Sequence, residues 1–144
     1  MSRHHPWRSL RALGDLWELV WTHDLPDGTI GLTCFDERTI YLADDLGQAE
    51  RRCAIDHEVE HARRGAVPAH LEAREERVID EISARRLIPL YDLADAMVWS
   101  DDEHQIADEL WVDVDTLRAR MFTLTLEETT HLNERLDEAE ARIP

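Results

Sequence analysis

The chain contains no lysine: its 16 basic residues are all arginine, and they face 32 acidic ones, for a formal net charge of -16 at pH 7. That charge repels a phosphate backbone, which argues against direct nucleic-acid binding and for a basic protein partner. Cysteine is almost as scarce. Cys34 and Cys53 do not form a CxxC pair, so spacing gives no thiolate metal site or redox dithiol, and two reduced thiols in the cytoplasm are the expectation. No uninterrupted apolar span and no cleavable signal is visible, so no membrane partner is expected. With only 5 Gly and 5 Pro there is no room for a long flexible linker, and 144 residues suffice for one core but not two. A single domain over 1–144 is expected, divided into a site-bearing core (6–90), a helical part (91–125) and an acidic terminal helix (126–144).

What stands out against this background is His57, Glu58, Val59, Glu60, His61, an HExxH pentad. On a helix the two imidazoles lie one turn apart on one face, where both reach a single metal ion, and Glu58 points toward the open side. This is the half-site of a zinc hydrolase. The pattern is short, so its meaning depends on the neighbours.

In chain order, His5 to Leu13 has helical spacing, with Pro6 near its start and Gly14 just past its end. His4 and His5 read as a solvated terminus. Leu16 to Thr22 is rich in large apolar residues and ends in the turn chemistry of Pro26, Asp27 and Gly28, the pattern of a strand. Thr29 to Phe35 and Thr39 to Leu42, separated by Asp36, Glu37 and Arg38, read as a hairpin. A helix then runs from near Gln48 through the pentad to Arg64, with Gly65 as its stop. A second helix, from about Ala69 to Leu87 and closed by Pro89, puts Leu71, Val78, Ile79 and Ile82 on one stripe. The fold expected is therefore α+β: a small antiparallel sheet packed on the HExxH helix and on a second ligand-bearing helix, followed by a helical, helix-turn-helix-like C-terminal part.

Two carboxylates on the second helix complete the half-site. Glu76 and Asp80, at i and i+4, flank its apolar stripe, and an acidic pair there needs neutralising. In one arrangement Glu76 binds the metal while Asp80 accepts the second ring N–H of a ligand histidine and fixes its tautomer. In the other, both belong to the solvated face that also holds Glu72, Glu75 and Glu81. His70 and Cys53 compete as third ligands, although Cys53, His57 and His61 in an i, i+4, i+8 line close a tetrahedron poorly. The long metzincin motif is absent, since Val67 and Arg64 occupy the positions of its third His and its Gly.

The last third is helical. Ile106, Ala107 and Leu110, then Asp113 as a cap, then Val114, Leu117 and Met121 form a helix-turn-helix pattern. Its second helix opens with Asp113 and Asp115, which oppose phosphate and base-edge acceptors, so a structural or protein-binding role is expected. Leu126 to Arg142 is a solvated terminal helix, expected to fray beyond Arg135.

The order of these features resembles the ImmA/IrrE family of zinc metallopeptidases. The resemblance rests on the run Arg51 to Asp56 leading into HExxH, on Glu76 to Ser83 and its ending Arg86, Leu87, Ile88, Pro89, and on the tail Ile106 through Met121; it covers about residues 6 to 123. It implies one Zn2+ held by His57, His61 and Glu76, Glu58 as general base and Asp80 behind the ligands. It also implies a cytoplasmic peptidase whose substrate is a protein, a basic helix-turn-helix transcriptional repressor, in phage, mobile-element or stress regulation. The chain departs from the pattern at Glu60, where the family usually has Gly, at Ile79, where it usually has Ala, and in the short connection from His61 to Glu76. Glu60 adds a bulky charge beside the site, and with it comes a second reading, a non-cleaving zinc-binding anti-repressor or interaction module. Tyr91 and His104 are the candidate donors to an oxyanion, and the strand Thr39 to Leu42 is the candidate edge for an extended substrate.

Overall fold

The structure, a computed structural model, describes residues 4–144. Helix α1 (Pro6–Ala12) leads through a short 3-10 turn into strand β1 (Glu18–Thr22), followed by β2 (Gly31–Cys34) and β3 (Thr39–Ala43). The expected hairpin forms, with β2 antiparallel to β3 in the register Gly31 to Leu42 and Thr33 to Ile40. The sheet as a whole is mixed rather than antiparallel, because β1 lies on the other side of β3 and runs parallel to it, Glu18 opposite Thr39. The eight residues between β1 and β2 carry the chain past β3's position, which a tight turn cannot do. This puts β3 at the centre, paired on both sides, so Thr39 to Leu42 offers no edge; the strand with a free edge beside the HExxH helix is β2.

Helix α2 (Gln48–Arg64) crosses the sheet and stops at Gly65, whose φ of 88° is a conformation that glycine adopts without strain. Ile40 and Leu42 of β3 pack against Ala54, Ile55 and Val59, with Leu10, Leu13 and Trp17 closing the margin. On the other side of α2, Cys53 enters a second core built from Leu87, Ile88, Leu93, Ile106, Leu110, Val112, Leu117 and Leu132. A helix covered on both sides needs apolar residues on both sides, so α2 lacks a clean single stripe.

Helices α3 (Glu72–Leu87), α4 (Leu90–Trp99), α5 (Glu103–Leu110), α6 (Val114–Phe122) and α7 (Leu126–Ala141) complete the chain. The buried face of α3 is Ile79, Ser83, Ala84 and Leu87; of the expected stripe only Ile79 is fully inside, and Leu71 is exposed. Asp113 caps α6, its Oδ1 accepting the Thr116 N–H at 2.8 Å. The α5–α6 pair has the helix-turn-helix form, but α6 lies against α3, with Arg120 buried and its Nε donating to the Ile88 carbonyl at 2.8 Å. A helix packed this way serves the interior. Helix α7, opened by a capping box between Thr125 and Glu128, runs unbroken to Ala141 rather than fraying after Arg135. Arg135 reaches Asp95 of α4 at 2.5 Å and ties that segment down. Among the described residues no helix is long and apolar enough to cross a membrane.

Candidate metal centre

Helix α2 presents His57 and His61 toward α3, and Glu76 meets them from there. The Nε2 of His57 lies 2.9 Å from Glu76 Oε2, and that of His61 lies 2.6 Å from Glu76 Oε1. Ligand atoms of the three residues all fall within 4.8 Å of one another, a cluster able to hold a metal ion. His57 turns its Nδ1 to Asp80 Oδ1 at 3.0 Å. In the neutral ring that contact favours the Nδ1–H tautomer and leaves Nε2 as the ligand atom. Two imidazole Nε2 atoms and a carboxylate form a His2Glu donor set, which suits zinc in an open site. Glu76 and Asp80 are half exposed, and among the described residues their ion-pair partners are these histidines; no arginine neutralises them.

The electrostatics follow from that absence. Burial works to lower the His57 pKa, but the hydrogen bond to Asp80 and the charges of Glu58 and Glu76 outweigh it and raise it to about 9. Glu58 is buried, and burial pushes its carboxyl above the ordinary range, while the Thr33 hydroxyl and the two histidines pull it back. Thr33 Oγ1 donates to Glu58 Oε2 at 2.7 Å. Gly31, two residues before it on the same face of β2, makes the room: a Cβ there lies only 2.8 Å from Glu58 Cγ. Strand β2 and helix α2 thus hold one carboxylate between them beside the histidines.

Two cavities, of about 440 and 410 Å³, open on either side of this point and share Gly31, Glu58 and Glu76 in their walls. The first is closed by Cys53 and by Asp113, Asp115 and Thr116 at the start of α6; the second by Phe35, Val67 and Glu75. Together they make a cleft along β2. Ala43 N–H bonds to the Ile30 carbonyl, so the hydrogen-bonded pairs along β2 are at Ile30, Leu32 and Cys34. By alternation the backbone N–H and C=O groups of Gly31 and Thr33 face the free edge.

Other candidates fall outside. His70 is exposed on a 3-10 turn (Ala69–Leu71) and is not in the cluster. Cys53 is a buried thiol against Thr116 and Asp113 at the start of α6, and burial above all pushes its pKa up to about 11, where it is a poor ligand. Both cysteines are free. Tyr91 stacks with Arg135 and His104 is exposed on α5, and neither lines the cleft.

Glu60 does not crowd the site. Its carboxylate is buried against Arg86 Nη2 at 2.8 Å and Arg63 Nη1 at 3.2 Å. One turn before it, Asp56 is fully buried and accepts from Ser83 Oγ at 2.6 Å, with Arg86 Nη1 at 3.6 Å and His4 Nε2 at 2.8 Å. His4, expected in solvent, is therefore held against the back of α2. The residue after each of these acids is a histidine of the metal cluster, so the acids' partners fix the rotation of α2 that turns His57 and His61 to Glu76. The acids themselves were visible in the sequence; their direction was not.

Comparison with models of known protein families, with curated proteins and with solved structures found no match. The HExxH residues and the Glu76 cluster are consistent with the active site of a zinc protease.

Proposed function

We propose that this protein is a zinc-dependent metalloendopeptidase that hydrolyses a peptide bond in a protein substrate, with His57, His61 and Glu76 as the zinc ligands, Asp80 orienting His57, and Glu58 as the general base. The observation that carries the reading is the convergence of two imidazole Nε2 atoms and one carboxylate next to a buried glutamate. When bound, the ion supplies Lewis-acid polarisation of a carbonyl and acidifies water. The protein's own residues do the rest. Glu58, with its affinity for protons raised by burial, takes a proton from water and returns it to the leaving amine. Thr33 holds one carboxylate oxygen and leaves the other free. The unpaired backbone groups of Gly31 and Thr33 accept an extended peptide as a further strand along β2, which brings its carbonyl past Glu58.

The substrate we favour is a basic helix-turn-helix transcriptional repressor, of the kind that operates in phage, mobile-element or stress control. Its support is the resemblance of the HExxH and Glu76 to Pro89 segments and the electrostatic match to a chain of net charge -16. The second reading, a non-cleaving antagonist, draws on Glu60 and on the dense acidic surface; the burial of Glu60 against Arg86 weighs against the first of these supports. Glu58→Gln separates the two. The variant is expected to retain zinc and to lose cleavage of a co-expressed repressor; an unchanged anti-repressor effect without cleavage in the parent contradicts the peptidase.

A further inference from the structure

On the other side of α6 from the metal cluster, helices α4 to α7 leave an open groove of about 1300 Å³ that the proposed hydrolysis does not use. Its floor is Leu93, Ile106 and Leu117, and its lips are apolar side chains that solvent reaches: Phe122 is 91% exposed, Ile143 73% and Trp99 63%. Val98 and Met121 fill the gaps between them. An exposed apolar patch of this kind marks an interaction site more often than it marks a solvated surface.

Three features identify the occupant. Apart from Ser100 and Asp101 between α4 and α5 and Ile143 after α7, the walls are helices, whose backbone groups are already paired, so a strand laid along them leaves its own backbone unsatisfied, whereas a helix does not. A helix about 10 Å across fills that volume over about three turns. The charge on the rim is acidic: Asp101 and Glu140 have no ion pair among the described residues, and the one arginine, Arg118, is already bonded to Glu103. A second copy of this chain brings a further charge of -16 to that rim and is disfavoured. We infer that the groove is a docking surface for a basic amphipathic helix of another protein, with Trp99 and Phe122 as its anchors.

This surface is independent of the metal cluster. Helix α6 separates the two, with Thr116 and Ala119 lining the cleft and Leu117 and Met121 lining the groove.

The test is fluorescence anisotropy of the full chain with a labelled 18-residue peptide that forms an amphipathic helix with a leucine stripe and an arginine-rich opposite face. A scrambled peptide of the same composition, with the stripe broken, serves as control. The amphipathic peptide is expected to bind at least tenfold tighter than the scrambled one. Phe122→Ser and Trp99→Ala are each expected to weaken it tenfold or more, and both sites are exposed enough to leave the circular dichroism unchanged. Glu76→Ala is expected to bind like the parent, so loss of the metal site and loss of the groove are read separately. Equal binding of the two peptides, or parent-like binding by Phe122→Ser, overturns the proposal. Sedimentation showing a dimer that Phe122→Ser dissolves overturns it in favour of a second copy.

Discussion

The pair α2 and α3 carries two groups of carboxylates, and they are neutralised in different ways. Asp56 and Glu60 are buried and face Arg86, a permanent cation, with Arg63, Ser83 and His4 completing their hydrogen bonds. Glu76 and Asp80 are half exposed and, among the described residues, pair with His57 and His61 alone. Arginine cannot give up its proton, so the first group is a fixed latch between the helices. Histidine can, so the second group is able to exchange a proton for a metal ion. The difference between a latch and a site on the same two helices lies in the cation each was given.

The largest expected effect breaks the latch. Arg86→Ala leaves Glu60 with Arg63 alone and Asp56 with neutral or titratable partners, at a cost of up to about 3–5 kcal/mol in denaturant unfolding. Replacing Arg86 by Met and Glu60 by Gln together is expected to cost less than Arg86→Ala alone. If Arg86→Ala unfolds at the parent's midpoint, the latch carries no weight.

The second prediction concerns the proton on His57. Its pKa of about 9 in the metal-free protein lies above the ordinary 6.5. The stabilisation is therefore fully present below about pH 6.5 and is lost as pH rises through about 9, with a size on the order of 3 kcal/mol. Metal requires the neutral ring, so zinc uptake at pH 7 releases about one proton from His57, and apparent affinity falls about tenfold for each unit of pH below 9. Calorimetry in buffers of different ionisation enthalpy measures that release; heats that do not depend on the buffer contradict it.

A smaller effect is expected at the orienting carboxylate. Asp80→Ala removes the acceptor of the His57 Nδ1–H, the largest of the influences that raise the His57 pKa, and is expected to lower zinc affinity 10–100-fold and to remove part of the His57-linked stabilisation below pH 9. Competition with a chromophoric chelator reads it, and an unchanged affinity makes Asp80 part of a solvated face.

Much of this was legible in local pattern. The HExxH helix and its Gly65 stop, the Asp113 cap and the Glu76–Asp80 spacing are short-range features, and the residues themselves enforce them. Pairings that depend on distant partners were not legible. Nothing in β1 announces a parallel partner, because parallel and antiparallel strands bury the same apolar side chains. Glu60 looked like an intruder because Arg86 lies 26 residues away, and His4 looked free because its acceptor, Asp56, is 52 residues on. The α5–α6 pair has the local grammar of a helix-turn-helix; only packing against α3 shows which face of α6 is taken.

The central claim is that the half-exposed group is a metal site. Its most direct test is the zinc content of the purified protein beside His57→Ala and Glu76→Ala. The account predicts one zinc per parent chain and none in either variant, with both variants folded. A metal-free parent after incubation with zinc, or zinc retained in Glu76→Ala, contradicts it.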